Sequence, residues 1–331
     1  MRTIQLTGTD LTVPILGFGC SSLMSHPTPR DRTAILQTTF EEGVRHFDVA
    51  RYYGHGEAEG VLGDFIRGRR SDVTVTTKFG ISPAVRTPVF RSVLGMARRL
   101  AATSPLLRNC MRNSSRRMIK YGAFGISEAR KSLETSLQQL RTDYVDILLL
   151  HECRLDDVGS DDLLCFLEGC VESGKIRYFG VGTDIDTIVE LSRAGSKFSR
   201  IVQFENSAVR QNVDLLPSNT AQATITHRSL NESFQLLCHA LQSKPGTAER
   251  LSRELDMDYR NREVLGHLML NYAVHANSSG PVLFSSRSPG RIASNVRAVS
   301  DAWFSVQQLE RFARVAGELS RLPGSTALPA R

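Results

Sequence analysis

The chain has 331 residues, 41% of them apolar, and a formal net charge of +7. That length supports one large core and is ordinary for a single α/β barrel domain. No apolar run approaches a membrane span, and the polar start "MRTIQLTGTDLTVP" does not read as a secretion signal. The charge is local. Residues 81–125 hold nine Lys/Arg and no acid, which leaves 32 basic against 34 acidic residues elsewhere. The six cysteines form no CxxC pair, so a zinc site is not expected and reduced thiols in a cytoplasmic protein are.

In chain order, residues 2–14 read as a short hairpin that caps the bottom of a barrel. Eight apolar, β-branched runs follow, at 15–20, 45–50, 72–77, 144–150, 176–182, 200–205, 223–227 and 281–285. Helix-length segments with three- and four-residue apolar spacing separate them, for example 127–140, 161–174 and 185–195. Further helices are expected at 262–276 and 306–319. This alternation predicts parallel α/β structure, and eight strands favour a closed (β/α)8 TIM barrel over an open sheet. The whole of 1–331 reads as one domain. Two stretches break the rhythm: 228–262, and the basic stretch 81–125, a long insertion or lid after the third strand.

Four residues fall at or just after strand ends. Asp48 and Tyr53 share "GVRHFDVARYYG", Lys78 lies near the end of "DVTVTTKFG" and His151 near the end of "YVDILLLHE". In a parallel barrel, those ends build the active site. Taken singly, each has an ordinary structural explanation: a cap, a packing ring, a solvated ammonium, a local hydrogen bond. As a set they suit proton delivery to a carbonyl during its reduction. A phenol has a reference pKa of about 10. A nearby ammonium is expected to lower it. Tyr53 is therefore read as general acid/base, Lys78 as its modulator, Asp48 as the partner of Lys78, and His151 as the group that orients the carbonyl.

Together these motifs resemble the aldo-keto reductase superfamily. "GVRHFDVARYYGHGEAEGVLG" is similar to its Asp–Tyr segment, "TTKFG" to its lysine motif and "LLLHE" to its histidine motif. "GKIRYFGVGTD", "IVQFEN" and "SSRSPGRIASNV" are similar to its fifth strand, sixth strand and final phosphate segment. The resemblance implies reduction of a small aldehyde or ketone with NADP(H), favoured over NAD(H), without metal or flavin.

The phosphate segment also reads on its own terms. A strand followed by a helix start offers free N–H groups to an anion, and Ser285, Ser286, Arg287 and Arg291 add donors and charge. The resemblance places Ser286, Arg291 and Asn295 on the family's serine, arginine and asparagine, with Arg291 facing an adenosine 2′-phosphate. Ser285 stands where many members carry Lys, and Ser294 where many carry Glu. Gln203 resembles the family's carboxamide contact. Gly182-Thr183 replace a common Ser-Asn pair, Thr183 keeping a hydroxyl, and His227 stands where an aromatic ring often stacks. Gly19, Cys20 and Ser21 are placed beside the nicotinamide riboside. No GxGxxG fingerprint is present, so a Rossmann domain is not supported.

The basic insertion reads as a lid with solvated arginines or a pocket wall. Sparse aromatic residues make nucleic-acid binding the weaker reading. The rival to an enzyme is a low-turnover dinucleotide sensor or partner-binding subunit on the same fold.

Overall fold

The computed structural model describes residues 1–83, 121–218, 221–243, 246, 249, 252–253 and 261–320. The basic insertion falls almost wholly outside these residues, as does part of 228–262.

Strands β1 (Thr3–Gln5) and β2 (Thr12–Pro14) pair antiparallel, with Ile4 opposite Val13. The turn between them passes through Gly8 at φ +72°, a conformation that favours glycine. Leu6, Leu11 and Val13 of this hairpin are buried against Ile147, Ile201, Ala223 and Leu283. Three of those four residues lie in the first half of their strands, so the hairpin closes the N-terminal end of the barrel.

Eight parallel strands follow: β3 (Leu16–Gly19), β4 (His46–Asp48), β5 (Thr74–Phe79), β6 (Val145–His151), β7 (Ile176–Gly182), β8 (Ile201–Glu205), β9 (Ala223–His227) and β10 (Val282–Phe284). They pair in sequence order, and β10 pairs with both β9 and β3, which closes the barrel. The expected (β/α)8 architecture and its hairpin cap are therefore observed. One boundary moves. Arg70–Asp72 form a helical turn, so β5 starts at Thr74, and Lys78 lies inside the strand rather than past its end.

Side-chain alternation divides the core in two. Phe18, Phe47, Val75, Phe79, Leu148, Leu150, Val202 and Phe204 belong to the main cluster between strands and helices. Inward positions fill the barrel. At Gly17 any Cβ would stand 2.7 Å from both His46 Cδ2 and Leu283 Cδ2, so only glycine leaves room for that imidazole. His46 itself is fully buried, with Nδ1 2.9 Å from Thr74 Oγ1.

The surrounding helices are α1 (Pro29–Glu41), α2 (Ala58–Ile66), α3 (Ile126–Leu140), α4 (Asp161–Glu172), α5 (Ile185–Arg193), α6 (Asn231–Ser243), α7 (Arg262–Ala276), α8 (Pro289–Ser300) and α9 (Val306–Ser320). Their starts are legible chemistry. Thr28 and Asp31 form a capping box before α1, and Ser160, Asp184 and Asn261 cap α4, α5 and α7. Helices α6, α7 and α9 share a second apolar cluster around Leu237, Leu268, Met269 and Phe312.

Candidate active site

The C-terminal ends of the strands converge polar groups on the barrel axis. Asp48 ends β4 and points inward, with 3% of its surface exposed. From the neighbouring strand, the Lys78 side chain runs inside the barrel and is 2% exposed. Its Nζ donates to Asp48 Oδ1 at 2.6 Å, to the Val49 carbonyl at 3.2 Å and to Tyr53 Oη at 3.4 Å. The other carboxylate oxygen, Asp48 Oδ2, accepts from Gln203 Nε2 at 2.8 Å.

Tyr53 opens a helical turn just past β4, its amide donating to the Ala50 carbonyl at 3.0 Å. The turn continues through Gly54 at φ +57°, where a Cβ would collide with Met24 at 2.0 Å. Glycine is required there on both counts. His151, the last residue of β6, presents its ring edge-on to Tyr53 at 6.0 Å between centroids. In register with it lie Gly182 on β7 and then Gln203 on β8. A Cβ on Gly182 would stand 3.3 Å from Gln203 Oε1, a tight contact beside the Gln203 amide. The structure thus brings Asp48, Tyr53, Lys78, His151 and Gln203 together.

Burial holds the Tyr53 phenol well above its usual pKa, with the Asp48 carboxylate as the next cause. This differs from the acidification expected of Lys78. The reason is charge balance: the ammonium is matched by Asp48 at 2.6 Å, closer than it lies to the phenol. Burial likewise pushes His151 well below the ordinary imidazole range, with the charge of Lys78 as the second cause. His227 is pushed down to about 3 by burial and by Arg228. The site at neutral pH therefore contains a protonated phenol and two neutral imidazoles.

The remaining positions divide by accessibility. Cys20 is fully buried and its thiol is pushed well up by burial, so it acts as wall rather than nucleophile, while Ser21 is exposed beside it. Gly19 ends β3 in register with Asp48. The Thr183 hydroxyl donates to the Cys153 carbonyl at 2.7 Å. His227 ends β9 in register with Glu205. After β10, Ser285, Arg287 and Arg291 are exposed. Ser286 is buried, and its hydroxyl donates to the Ser288 carbonyl and accepts from the Ser288 amide, both at 3.2 Å.

Two observations bear on whether a dinucleotide fits this segment. Ser288 makes no side-chain cap on α8; its carbonyl takes the Arg291 and Ile292 amides and residue 289 is proline, so the Gly290 amide is the donor that the helix start offers an anion. The Asn295 side chain, in the second turn of α8 and 5% exposed, makes no hydrogen bond among the described residues. Exposed guanidinium groups, a helix start without a side-chain cap and the Asn295 amide are donors of the kind that fit a phosphate-bearing adenosine.

The sequence reading passed over several residues at this face. Tyr52 lies 5.0 Å from Tyr53 and 5.2 Å from His151 between ring centroids. Arg228 and Arg210 both bond Glu205 Oε2, at 3.3 and 3.4 Å. Glu152 and Arg228, each directly after a strand-end histidine, hold left-handed φ angles of +52° and +58°. Strain of that kind clusters at functional sites. The doubled tyrosine in "RYYG" was the available signal for Tyr52.

Comparison with known proteins shows the family and the fold. The model of the Aldo/keto reductase family matches residues 15–316. An aldo-keto reductase of Alternaria alternata, AFTS1, is 31% identical over 160 residues, which cover 46% of this chain and 40% of that protein. The chain spans between 40% and 56% of the length of the first curated relatives that it matches. Among solved structures, the holo form of a Bacillus halodurans aldo-keto reductase superposes with a TM-score of 0.70 at 20% identity, covering 98% of this chain and 99% of that one. An aldo-keto reductase of Klebsiella pneumoniae in complex with NADPH superposes with a TM-score of 0.65 at 20% identity over the full length of both chains.

Proposed function

The chain belongs to the aldo/keto reductase family of oxidoreductases, and from that premise we propose that it interconverts a small aldehyde or ketone and the corresponding alcohol with NADP(H). The observation that carries the reading is the position of Lys78 Nζ, hydrogen-bonded to Asp48 at 2.6 Å and to the Tyr53 hydroxyl at 3.4 Å, beside a neutral His151.

Ser285, Ser286, Arg287, Arg291 and Asn295 would hold the adenosine end of the dinucleotide. Gln203, Thr183, His227, Gly19, Cys20 and Ser21 would surround the nicotinamide end, with Asp48 below it. Two positively charged guanidinium groups and an NADPH-bound neighbour in the family favour NADP(H) over NAD(H). When bound, the reduced nicotinamide supplies hydride to the carbonyl carbon.

The protein's part is the carbonyl oxygen. Tyr53 stays protonated at neutral pH because burial raises its pKa, so its proton is available for the oxygen as negative charge develops there. Lys78 lies close enough to stabilise the phenolate that this transfer leaves behind. Asp48 holds the ammonium in place and accepts from Gln203, which fixes its own orientation. His151 cannot act as an acid while neutral, but its N–H can donate to the same oxygen and orient the carbonyl.

The test is consumption of NADPH, followed by the absorbance of the reduced nicotinamide, with a panel of aliphatic and aromatic aldehydes and ketones. Turnover with several of them is expected. Tight NADPH binding with no consumption across the panel would replace the enzyme with a dinucleotide sensor.

A further inference from the structure

Glu59 is a buried carboxylate that the mechanism above does not use. It lies in the first turn of α2 and is 0% exposed. Burying an ionised carboxylate is costly unless cations and donors surround it. Glu59 has one of each, and they come from different elements. Its Oε2 accepts from Arg51 Nη1 at 3.0 Å. Its Oε1 accepts from Thr77 Oγ1 at 2.7 Å.

Those partners bracket the site. Arg51 stands two residues before Tyr53, on the segment that carries the phenol. Thr77 stands one residue before Lys78, on β5, with its side chain turned away from the barrel axis towards α2. The same segment and strand are also joined through the backbone. The Val49 amide donates to the Thr76 carbonyl at 2.8 Å, and the Arg51 amide to the Lys78 carbonyl at 3.5 Å. The second of these is at the limit of a hydrogen bond. The backbone alone thus holds the Arg51 end loosely, and the side-chain clamp acts where that hold weakens.

We propose that Glu59 is a positioning residue that sets the distance between the Tyr53 hydroxyl and Lys78 Nζ, by tying the tyrosine-bearing segment to the lysine-bearing strand. It touches neither carbonyl nor cofactor. Its effect on the reaction runs through Arg51 on one side and Thr77 on the other. The proposal rests on the carbonyl-reduction reading above.

Glu59→Gln keeps the shape, and its NH2 can donate to Thr77 Oγ1, because a hydroxyl also accepts. What it removes is the negative charge opposite Arg51, so a neutral hydrogen bond replaces the ion pair and the Arg51 side of the clamp weakens. Proton transfer is sensitive to such displacement, and misplacement of about 1 Å costs up to about 100-fold in rate. The experiment compares wild type, Glu59→Gln and Thr77→Val for kcat and KM with one uncharged aldehyde, for NADPH Kd by fluorescence titration, and for the pH profile of kcat.

For Glu59→Gln, kcat is expected to fall about 10- to 100-fold, with KM and NADPH Kd within about twofold of wild type and an altered pH profile of kcat. Thr77→Val, which leaves the ion pair in place, is expected to show the same pattern more weakly. Folded Glu59→Gln with wild-type kcat and pH profile overturns the proposal. So does a loss of kcat matched by an equal loss of NADPH affinity, because that marks general disruption of the barrel mouth. If Glu59→Gln does not fold, Thr77→Val decides: lowered kcat with unchanged Kd supports the clamp, and unchanged kcat removes it. A wild-type protein that oxidises NADPH with no aldehyde fails differently, since the functional reading then falls and takes the clamp with it.

Discussion

The Gln203 amide reaches from β8 to Asp48 on β4, donating from Nε2 to Oδ2 at 2.8 Å. This bond joins strands that are not neighbours in the barrel. With Lys78 on the other oxygen, each oxygen of the buried Asp48 carboxylate has a donor.

Replacing Gln203 by Leu leaves Asp48 Oδ2 without its donor in a buried setting. The expected loss is about 1–3 kcal/mol of stability, the scale for an unsatisfied buried polar group. Thermal melting checks it, and an unchanged Tm would show that water or a rotated Lys78 replaces the amide. The same variant is expected to weaken NADPH binding, because the proposed nicotinamide end loses a polar contact.

Arg291 bears on the choice of cofactor. It is exposed on the first turn of α8, where a 2′-phosphate would find a guanidinium. Arg291→Met is expected to raise the Kd for NADPH about tenfold, the scale of one charge-assisted hydrogen bond, and to leave NADH binding unchanged. Equal weakening of both cofactors would move Arg291 from the 2′-phosphate to a feature that they share.

Acid sensitivity follows from the buried histidines. His46 is pushed down to about 4 by burial inside the barrel, against about 6.5 when unfolded. Because its folded pKa is depressed, the unfolded chain binds the proton first as pH falls. Stability is therefore full above about pH 6.5 and is lost as pH drops towards about 4, by about 3 kcal/mol for His46 alone at about 1.4 kcal/mol per pH unit. His151, His227 and His267 are shifted in the same direction and reinforce the trend. Melting curves between pH 7 and pH 4.5 should show the decline. His46→Asn should flatten it, and a parallel decline in that variant would assign the effect elsewhere.

Much of the fold is visible in the sequence because it is local. Most barrel strands are short runs rich in apolar and β-branched residues, and the runs expected at 176–182 and 223–227 coincide with β7 and β9. Helix 262–276 coincides with α7, which Asn261 caps. Helix α6 lies within 228–262, a stretch that breaks the expected strand–helix rhythm, although Phe234, Leu237, Cys238 and Leu241 recur at helical spacing. What stays hidden is tertiary. Nothing local to His46 marks it as an interior residue that relies on Gly17 for space. Nothing in "EAEG" marks Glu59 as a carboxylate shared between Arg51 and Thr77. The direction of the Tyr53 pKa was also illegible, because it depends on burial and on how closely Asp48 neutralises Lys78. Residues 84–120 of the basic insertion and the tail after Ser320 lie outside the described residues.

The central claim is that Tyr53 delivers the proton to the carbonyl oxygen, and single-turnover oxidation of enzyme-bound NADPH by an aldehyde tests it most directly. Tyr53→Phe is expected to slow that step by about 10²- to 10⁴-fold, the scale of a general acid, while NADPH binds with wild-type affinity. A Tyr53→Phe protein that oxidises bound NADPH at the wild-type rate contradicts the account.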